Sequence, residues 1–224
     1  MYDIIYIGGG LNYAGAIVAA KKGLKVALVE TSLDQLGGTC LQKGCIPSKM
    51  FLHHANTVRQ SKESVFTGEI ALDMPVLTAR KNKLLAAATK AVNAQCSQFE
   101  LIEGKGYVVA PHRVEVEGTV YEAEYIVIGT GSSPFIPEGI DYDGEAIITS
   151  NDVLELQKLP KDIAIYGDGA IGLEMACFFA SCYVEVTLIS RSDKLLKRSH
   201  PLIQTAMEKE MERLGITHLK NNSV

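Results

Sequence analysis

Residues 163–172 read Ile-Ala-Ile-Tyr-Gly-Asp-Gly-Ala-Ile-Gly, and this stretch decides the fold class. Its apolar first part is typical of a buried strand, and a helical apolar pattern continues from it to Cys182. In the Gly-x-Gly-x-x-Gly pattern of residues 167–172, the first glycine permits a tight turn and the second lets a pyrophosphate approach the backbone. The third lets the helix pack on the strand, and the helix N-terminus faces the negative charge. The sequence therefore predicts a dinucleotide site at this turn.

The same design occurs at the N-terminus of the chain. Residues 2–7 are rich in Ile and Tyr and meet three consecutive glycines, after which residues 14–22 form a helical pattern and residues 25–30 a second strand. Tyr13 stands where the third glycine is expected, so either Tyr13 takes that place or the turn is shortened. Glu30 closes the second strand about 20 residues on, where a carboxylate accepts from ribose hydroxyls. A glycine-rich turn without a ligand is the alternative.

Two strand-turn-helix-strand units in tandem predict an α/β fold, with two Rossmann-like three-layer units that bind two dinucleotides. Between the units, a long helix is expected over residues 77–99 and a small antiparallel meander over residues 101–128. A helix over residues 202–214 and a short strand over residues 216–219 extend the second unit.

Composition narrows the class of partner. The chain is 47% hydrophobic and 21% charged with a net charge of −4, which indicates a globular protein without bulk attraction to nucleic acid or an anionic membrane. No signal peptide pattern is visible, and no apolar run reaches the roughly 18 to 20 residues of a transmembrane helix. A small-molecule partner and a cytoplasmic location are predicted, with no nucleic acid and no membrane.

Two of the five cysteines, Cys40 and Cys45, are separated by four residues and precede a helix that Pro47 could start at its first turn. A helix N-terminus and a nearby lysine stabilise a thiolate, so one cysteine could be a nucleophile, and the pair could cycle between dithiol and disulfide. The alternatives are a metal half-site or two buried free cysteines. No second Cys/His group at zinc spacing accompanies them, and no metal is predicted.

Residues 37–49, Gly-Gly-Thr-Cys-Leu-Gln-Lys-Gly-Cys-Ile-Pro-Ser-Lys, resemble the active-site signature of the class I pyridine nucleotide-disulfide oxidoreductases. Leu41, Ile46 and Ser48 are most similar to the dihydrolipoamide dehydrogenase branch. The resemblance covers the whole chain: residues 130–134 match the second FAD contact of the family, residues 104–106 its adenine-side turn, and residues 167–174 its nicotinamide-nucleotide motif.

This resemblance implies the cofactors FAD and NAD or NADP, with the first part of an FAD-binding domain at residues 1–148 and an incomplete NAD(P)-binding domain at residues 149–224. It also implies that Cys40 exchanges with the substrate disulfide, that Cys45 lies against the flavin, and that Lys49 pairs with Glu174 near it. The residues expected to bind the cofactors are Gly8, Gly10, Glu30, Thr39, Lys49, Gly106, Thr130, Gly131, Ser132, Gly167, Gly169, Ile171, Gly172, Glu174 and Arg191.

Two features of the second unit depart from the family pattern. Ser190-Arg191 follows the second strand of the second unit where NAD-preferring members carry a Glu, and Arg191 could meet a 2′-phosphate or be a surface charge. An NADPH-dependent disulfide or mercuric reductase-like enzyme is therefore the alternative. Tyr183 stands where the family tends to end a helix with glycine, which would be strained in a left-handed conformation. Cys177 and Cys182 fall within a helix and are expected to be core thiols.

The resemblance also implies parts that residues 1–224 do not contain, namely a third FAD contact, a completed nicotinamide domain and an interface domain with a catalytic His-Glu pair. We therefore expect a truncated chain that is nearly inactive alone, since general acid–base catalysis contributes about a hundred- to ten-thousand-fold. The expected substrate is a small-molecule or lipoyl-type disulfide, with a homodimer only if the interface domain is present. A non-catalytic nucleotide-binding remnant is a further alternative.

Overall fold

The computed structural model describes residues 1–62 and 65–223. Contacts divide the chain into two compact units, which we call unit 1 (Met1–Pro47 and Lys81–Ser133) and unit 2 (Ser48–Arg80 and Pro134–Val224). This division by packing differs from the expected division at residues 148/149, because residues 48–80 and 134–148 group with unit 2. The assignment of one cofactor to each expected domain stays a prediction.

Unit 1 is built on a six-stranded sheet with the strand order β3-β2-β1-β6-β5-β4. Its strands are β1 (Tyr2–Ile7), β2 (Val26–Glu30), β3 (Glu100–Glu103), β4 (Gly106–Ala110), β5 (Arg113–Val116) and β6 (Thr119–Ile128). Its helical segments are α1 (Asn12–Lys21), a 3₁₀ turn (Leu33–Gln35), α2 (Gly38–Gln42), the start of α3 (Cys45–Gln60) and most of α4 (Met74–Cys96). The predicted first strand-turn-helix-strand unit is therefore present.

Strand β6 changes partner along its length. Residues 119–122 pair antiparallel with β5, whereas residues 123–128 pair parallel with β1. The expected meander is thus correct for β4, β5 and β6. It is wrong for β3, which pairs parallel with β2 and brings the buried side chain of Ile102 into the same apolar cluster as Val29.

Unit 2 contains a parallel sheet in the order β7-β8-β9. Its elements are α5 (Ser150–Val153), β7 (Asp162–Tyr166), α6 (Ala170–Ser181), β8 (Glu185–Ile189), α7 (Pro201–Arg213) and β9 (Thr217–Leu219), in addition to the parts of α3 and α4 that belong to this unit. Burial explains why those helical parts belong here. Phe51 of α3 is 1% exposed and its ring centre lies 5.4 Å from that of Phe178 of α6, and Met74 and Leu77 of α4 join the same cluster. Among the described residues, no helix is both long and apolar enough to span a membrane.

Three helices end with a residue in the left-handed conformation. Gly23 follows α1 with φ +85° and Gly215 follows α7 with φ +70°, and Tyr183 takes the corresponding place after α6 with φ +61°. The Val184 amide donates to the Phe179 carbonyl at 3.1 Å, a bond that closes the helix end. The strain expected at Tyr183 is therefore real, because a side chain at positive φ crowds the following carbonyl.

Replacing Tyr183 with glycine should raise the free energy of unfolding of the chain by about 1 kcal/mol, because left-handed strain is removed. The gain is reduced because the substitution removes the cation–π contact of the Lys62 ammonium, which lies 5.5 Å from the centre of the Tyr183 ring. Urea denaturation of wild type and Tyr183→Gly measures the difference. As the matched control, Gly215→Ala should lower stability, since it introduces the same strain at a position with no atom within 4 Å. An unchanged or lower stability of Tyr183→Gly would contradict this account.

Candidate functional site

The turn at residues 167–172 of unit 2 has the backbone of a phosphate-binding loop. Gly167 has φ +126°, and its amide donates to the Ile189 carbonyl at 2.9 Å. A Cβ on Gly172 would lie 2.1 Å from the Gly167 carbonyl oxygen, so close packing of α6 on β7 requires glycine there. No atom lies within 4 Å of the place that a Cβ on Gly169 would occupy, and α6 begins at Ala170. The turn therefore leaves its backbone accessible to a pyrophosphate at a helix N-terminus.

The turn after β1 in unit 1 repeats the first part of this geometry. Gly8 has φ +98°, and its amide donates to the Val29 carbonyl at 2.8 Å, as Gly167 does in the second turn. A Cβ on Gly8 would lie 2.3 Å from the carbonyl oxygen of Gly129, so this position requires glycine. The start of the turn thus fits a dinucleotide loop.

The departure at Tyr13 changes how α1 begins. The Tyr13 amide donates to the Gly10 carbonyl at 3.3 Å and the Ala14 amide to the Leu11 carbonyl at 3.1 Å, both over three residues. In α6, by contrast, the Leu173 amide bonds back over four residues at 3.0 Å. The turn is not shortened, since α1 begins five residues after the end of β1 and α6 four residues after the end of β7. Tyr13 therefore takes the place of the third glycine, and α1 opens with bonds of the tighter 3₁₀ type.

Glu30 lies against the first turn, as its spacing predicts. Its Oε2 accepts from the Gly9 amide at 2.5 Å and its Oε1 from the Thr31 amide at 2.7 Å. A carboxylate has about four acceptor positions, so the two backbone bonds leave lone pairs for other donors. The carboxylate is thus fixed in place and still able to accept from ribose hydroxyls.

Cys40 and Cys45 lie in unit 1, near the N-termini of two successive helices. Cys40 lies in α2, Cys45 is the first residue of α3, and both thiols are exposed. The connection is tight, since a Cβ on Gly44 would lie 2.8 Å from the Thr39 carbonyl oxygen. The two thiols contact each other through a hydrogen bond. Two adjacent accessible thiols can form and break a disulfide, which the alternative of two buried cysteines could not do.

A close backbone approach joins the cysteine segment to the first turn. The Gly37 amide donates to the Gly9 carbonyl at 2.9 Å. Gly38 has φ +58°, and a Cβ on it would lie 2.5 Å from the Cα of Gly10. The position of the thiol pair relative to the first turn is therefore set by glycine-on-glycine packing, which the sequence pattern alone did not reveal.

The pKa of Cys40 is raised above the ordinary thiol value. The cause is the hydrogen bond to the Cys45 thiol, followed by burial and by repulsion between the two sulfurs, while the Cys45 backbone amide acts in the opposite direction. The sequence predicted that one cysteine of the pair could be a nucleophile at neutral pH, and the direction of this pKa shift disfavours Cys40 in that role unless a base is present. Because Cys40 is a thiol at neutral pH, its reaction as a nucleophile needs a base.

Lys49 and Glu174 form the predicted ion pair in unit 2, with 3.1 Å between Nζ and Oε1. The Lys49 side chain is 69% exposed and that of Glu174 35% exposed. An exposed pair of this kind contributes little to stability, so its effect is to orient the lysine. The proposed place of Lys49 near a flavin stays a prediction.

The other predicted residues have simple structural settings. Gly106 begins β4, where a Cβ would lie 3.2 Å from side-chain atoms of Ile7 and Val29, so its glycine is explained by packing on the sheet. The residues after β6 are exposed, and one of them, Gly131, has φ +73°. The exposed residues among those predicted to bind cofactors are Thr39, Lys49, Thr130, Gly131, Ser132, Gly169, Ile171 and Arg191.

The other cysteines of the two units are poor nucleophiles. Burial raises the pKa of Cys177 to about 11, with repulsion from Glu210 adding to it, and raises the pKa of Cys182 to about 12. Cys96 is fully buried, and burial raises its pKa as well. Among residues 1–62 and 65–223, no cluster of three or more His, Cys, Asp or Glu side chains could hold a metal ion.

Sequence reasoning missed one feature of the second unit. The hydroxyl of Ser190 lies 2.7 Å from Nε2 of His218, which is on β9. His218 stands in a three-residue strand, and no motif marks it. Only the parallel pairing of β8 with β9 brings the two residues together.

The model of the family described as Pyridine nucleotide-disulphide oxidoreductase matches residues 2–224. The chain belongs to this family of flavin-dependent enzymes, whose members use FAD and NAD(P). The resemblance stated from residues 37–49 is thereby confirmed.

Named relatives include dihydrolipoyl dehydrogenase of Bacillus subtilis (strain 168), which is 32% identical over all of this chain and 51% of its own length. A mercuric reductase of Lysinibacillus sphaericus is 34% identical over 98% of this chain and 41% of its own length. Among solved structures, LpdA from Mycobacterium tuberculosis has a TM-score of 0.87 at 26% identity, covering 99% of this chain and 51% of its own. The HOCl-induced flavoprotein disulfide reductase RclA from Escherichia coli has a TM-score of 0.84 at 28% identity, covering 100% and 50%. The chain thus spans about half the length of these proteins.

Two glycines of the second turn should respond differently to alanine. Gly172→Ala places a methyl group against a backbone oxygen and should lower the free energy of unfolding by about 2 kcal/mol. Gly169→Ala meets open space, so it should leave stability nearly unchanged while weakening binding of NADP⁺, because it fills the place of closest approach. Urea denaturation and isothermal titration calorimetry measure the two effects. Equal destabilisation by both substitutions would contradict the assignment.

Replacing Cys45 with alanine should lower the pKa of Cys40. The substitution removes the thiol hydrogen bond and the repulsion that raise this pKa, but keeps the backbone amide that lowers it. Cys40 should therefore react with iodoacetamide with a midpoint at lower pH than in wild type, as followed by site-resolved mass spectrometry. Cys182→Ala is the control and should leave the Cys40 midpoint in place. A midpoint that stays or rises in Cys45→Ala would show that the neighbouring thiol is not the cause.

Proposed function

We propose that this chain carries the electron-transfer part of a flavin-dependent disulfide oxidoreductase similar to dihydrolipoyl dehydrogenase. Such a protein moves electrons between a dithiol/disulfide substrate and NAD(P) through FAD and the Cys40-Cys45 pair. The observation that carries the proposal is the pair of exposed, mutually hydrogen-bonded thiols held by Gly38 against a glycine-rich turn. A nucleotide-binding module without redox chemistry has no need of such a pair.

The residues of both turns fit the two cofactors. In unit 1, the glycine backbone of the first turn and the carboxylate of Glu30 suit the pyrophosphate and ribose of FAD. In unit 2, Gly167 and Gly169 suit NAD(P). When bound, FAD would accept an electron pair from the thiols. NAD(P) would then carry that electron pair to or from solution.

The chemistry at the thiols is disulfide exchange. A substrate thiolate attacks the sulfur of Cys40, the Cys40-Cys45 bond breaks, and Cys45 leaves as a thiolate. The second substrate thiol, after losing its proton, attacks its partner sulfur and releases Cys40, which takes up a proton. The products are a substrate disulfide, a Cys45 thiolate and a Cys40 thiol, so two electrons and one proton have passed from the substrate to the cysteine pair.

The raised pKa of Cys40 means that Cys40 gains a proton in one direction of the exchange and loses it in the other. Cys40 is protonated when it is released, and it must lose that proton before it can attack a disulfide in the reverse reaction. A base at Cys40 is therefore required for reduction of a disulfide substrate. Lys49, oriented by Glu174, is proposed to place a positive charge near the flavin, where it would stabilise the charge of the reduced form.

The substrate class is proposed to be a small-molecule or lipoyl-type dithiol, because residues 37–49 are most similar to the dihydrolipoamide dehydrogenase branch. The alternative, an NADPH-dependent disulfide or mercuric reductase-like enzyme, is favoured by Arg191 at the end of β8 and by the identity with the mercuric reductase. A cytoplasmic location and a homodimer stay predictions of the sequence.

Mild oxidation of the purified chain with oxidised lipoamide should form one intramolecular disulfide between Cys40 and Cys45. Alkylation followed by peptide mass mapping should find Cys96, Cys177 and Cys182 still as thiols, because burial raises the pKa of all three. In the control Cys40→Ser, Cys45 should form no intramolecular disulfide. A bridge between Cys177 and Cys182, or no bridge at all, would refute the redox role and favour a remnant that only binds nucleotides.

A further inference from the structure

The side chain of Asn12 joins the start of α1 to the end of β1. Its Nδ2 donates to the Ile7 carbonyl at 3.2 Å, and the Gly129 amide donates to the same oxygen at 2.9 Å. A carbonyl oxygen has two lone pairs, so it can accept both bonds. The last residue of β1 is therefore bonded to α1 through Asn12 and to the segment after β6 through Gly129.

Contact with Asn12 explains why residue 129 is a glycine. The three atoms nearest to a Cβ placed on Gly129 would all belong to Asn12, with Cγ and Oδ1 both at 2.9 Å and Nδ2 closer still. The backbone of Gly129 is not in the left-handed region, so by itself it would accept alanine. The Asn12 amide, rather than backbone strain, excludes a side chain at this position.

The segment held by this contact contains residues predicted to bind FAD. Residues 130–132 follow Gly129 directly, and they are exposed and outside regular secondary structure. A Cβ on Gly8, the first glycine of the turn after β1, would lie 2.8 Å from the carbonyl carbon of Gly129. Gly129 is thus in contact with both the first glycine of the turn and the first residue of α1, and residues 130–132 continue from it.

The second turn links its strand and helix differently. Ile171 occupies the place of Asn12 in the glycine pattern, and its side chain cannot donate a hydrogen bond. One residue later, Gly172 packs α6 closely on the Gly167 carbonyl, whereas Tyr13 stands at that place in unit 1. The bond from Asn12 therefore supplies in unit 1 the link between strand and helix that glycine packing supplies in unit 2.

We propose that Asn12 is a positioning residue of the FAD site. By bonding to the Ile7 carbonyl and packing on Gly129, it holds the first turn and residues 130–132 in the relative position that lets both contact one FAD molecule. The inference rests on the proposed function, because it takes unit 1 to bind FAD. Asn12 acts through the backbone of the two segments and not by touching the cofactor.

Fluorescence titration of the 224-residue chain with FAD, combined with urea denaturation of the FAD-free chain, tests this role. Asn12→Ala should weaken FAD binding about tenfold, because a hydrogen bond and a packing contact that hold the two segments are lost. Asn12→Asp should weaken it as well, since it keeps the shape but places an acceptor against the Ile7 carbonyl. A merely structural role would lower the urea midpoint and leave the affinity of the folded chain for FAD unchanged.

Asn93→Ala is the matched control. Asn93 is a half-buried residue of unit 1 whose Nδ2 donates to the Leu33 carbonyl at 3.3 Å, so the substitution removes the same kind of bond. This bond ties α4 to the 3₁₀ turn instead of to the turn after β1. Asn93→Ala should lower the urea midpoint and leave the FAD affinity unchanged.

A rescue experiment without FAD tests the contact itself. Gly129→Ala should shift the urea midpoint to lower concentration, because its methyl group meets the Asn12 amide. In the Asn12→Ala background the same change should cause a much smaller shift. Equal shifts in the two backgrounds would overturn the contact.

The FAD titrations separate this inference from the proposed function. An unchanged FAD affinity in Asn12→Ala, or an equal loss in Asn93→Ala, would overturn the positioning role and leave the proposed function in place. Absence of FAD binding by wild type would overturn both.

Discussion

The close approach of Gly38 to Gly10 is the constraint on which the candidate site of unit 1 depends. Gly10 belongs to the first glycine turn and Gly38 begins the helix that carries Cys40, and a Cβ on Gly38 would lie only 2.5 Å from the Cα of Gly10. A hydrogen bond from Gly37 to Gly9 fixes the same approach. The thiol pair is therefore placed by rigid backbone contacts, which hold a reacting group more accurately than flexible side chains would.

Three positions where the family motif or a helix end calls for glycine show where the fold requires that residue. At Gly172 the backbone contact leaves no room for a side chain, and the second turn is complete. At Tyr13 and Tyr183 a bulky residue replaces glycine, and the chain responds locally, by a tighter first turn in α1 and by a left-handed tyrosine after α6. The strand-turn-helix design survives both substitutions because the sheet contacts on either side do not involve these residues.

Electrostatics separates the cysteines into two classes. Burial alone makes Cys182 unreactive, whereas for Cys40 the main influence is the other thiol of its pair. Mutual contact both places the two sulfurs within reach of each other and keeps Cys40 protonated, so a reaction of Cys40 as a nucleophile needs a base. At Ser190 too, the polar groups have partners within the same unit, since its hydroxyl, amide and carbonyl are all hydrogen-bonded.

The sequence by itself determined the family and the two glycine turns, because these follow from local spacing, and the family resemblance implied the pairing of Lys49 with Glu174. It also anticipated the strain at Tyr183. The tertiary structure decided what depends on distant segments: the parallel pairing of β3, the membership of residues 48–80 in unit 2, and the contact of His218 with Ser190. It also showed that the Cys45 thiol raises the pKa of Cys40. The start of a helix can be predicted from a motif, but the pKa of a thiol depends on which other groups the fold brings beside it.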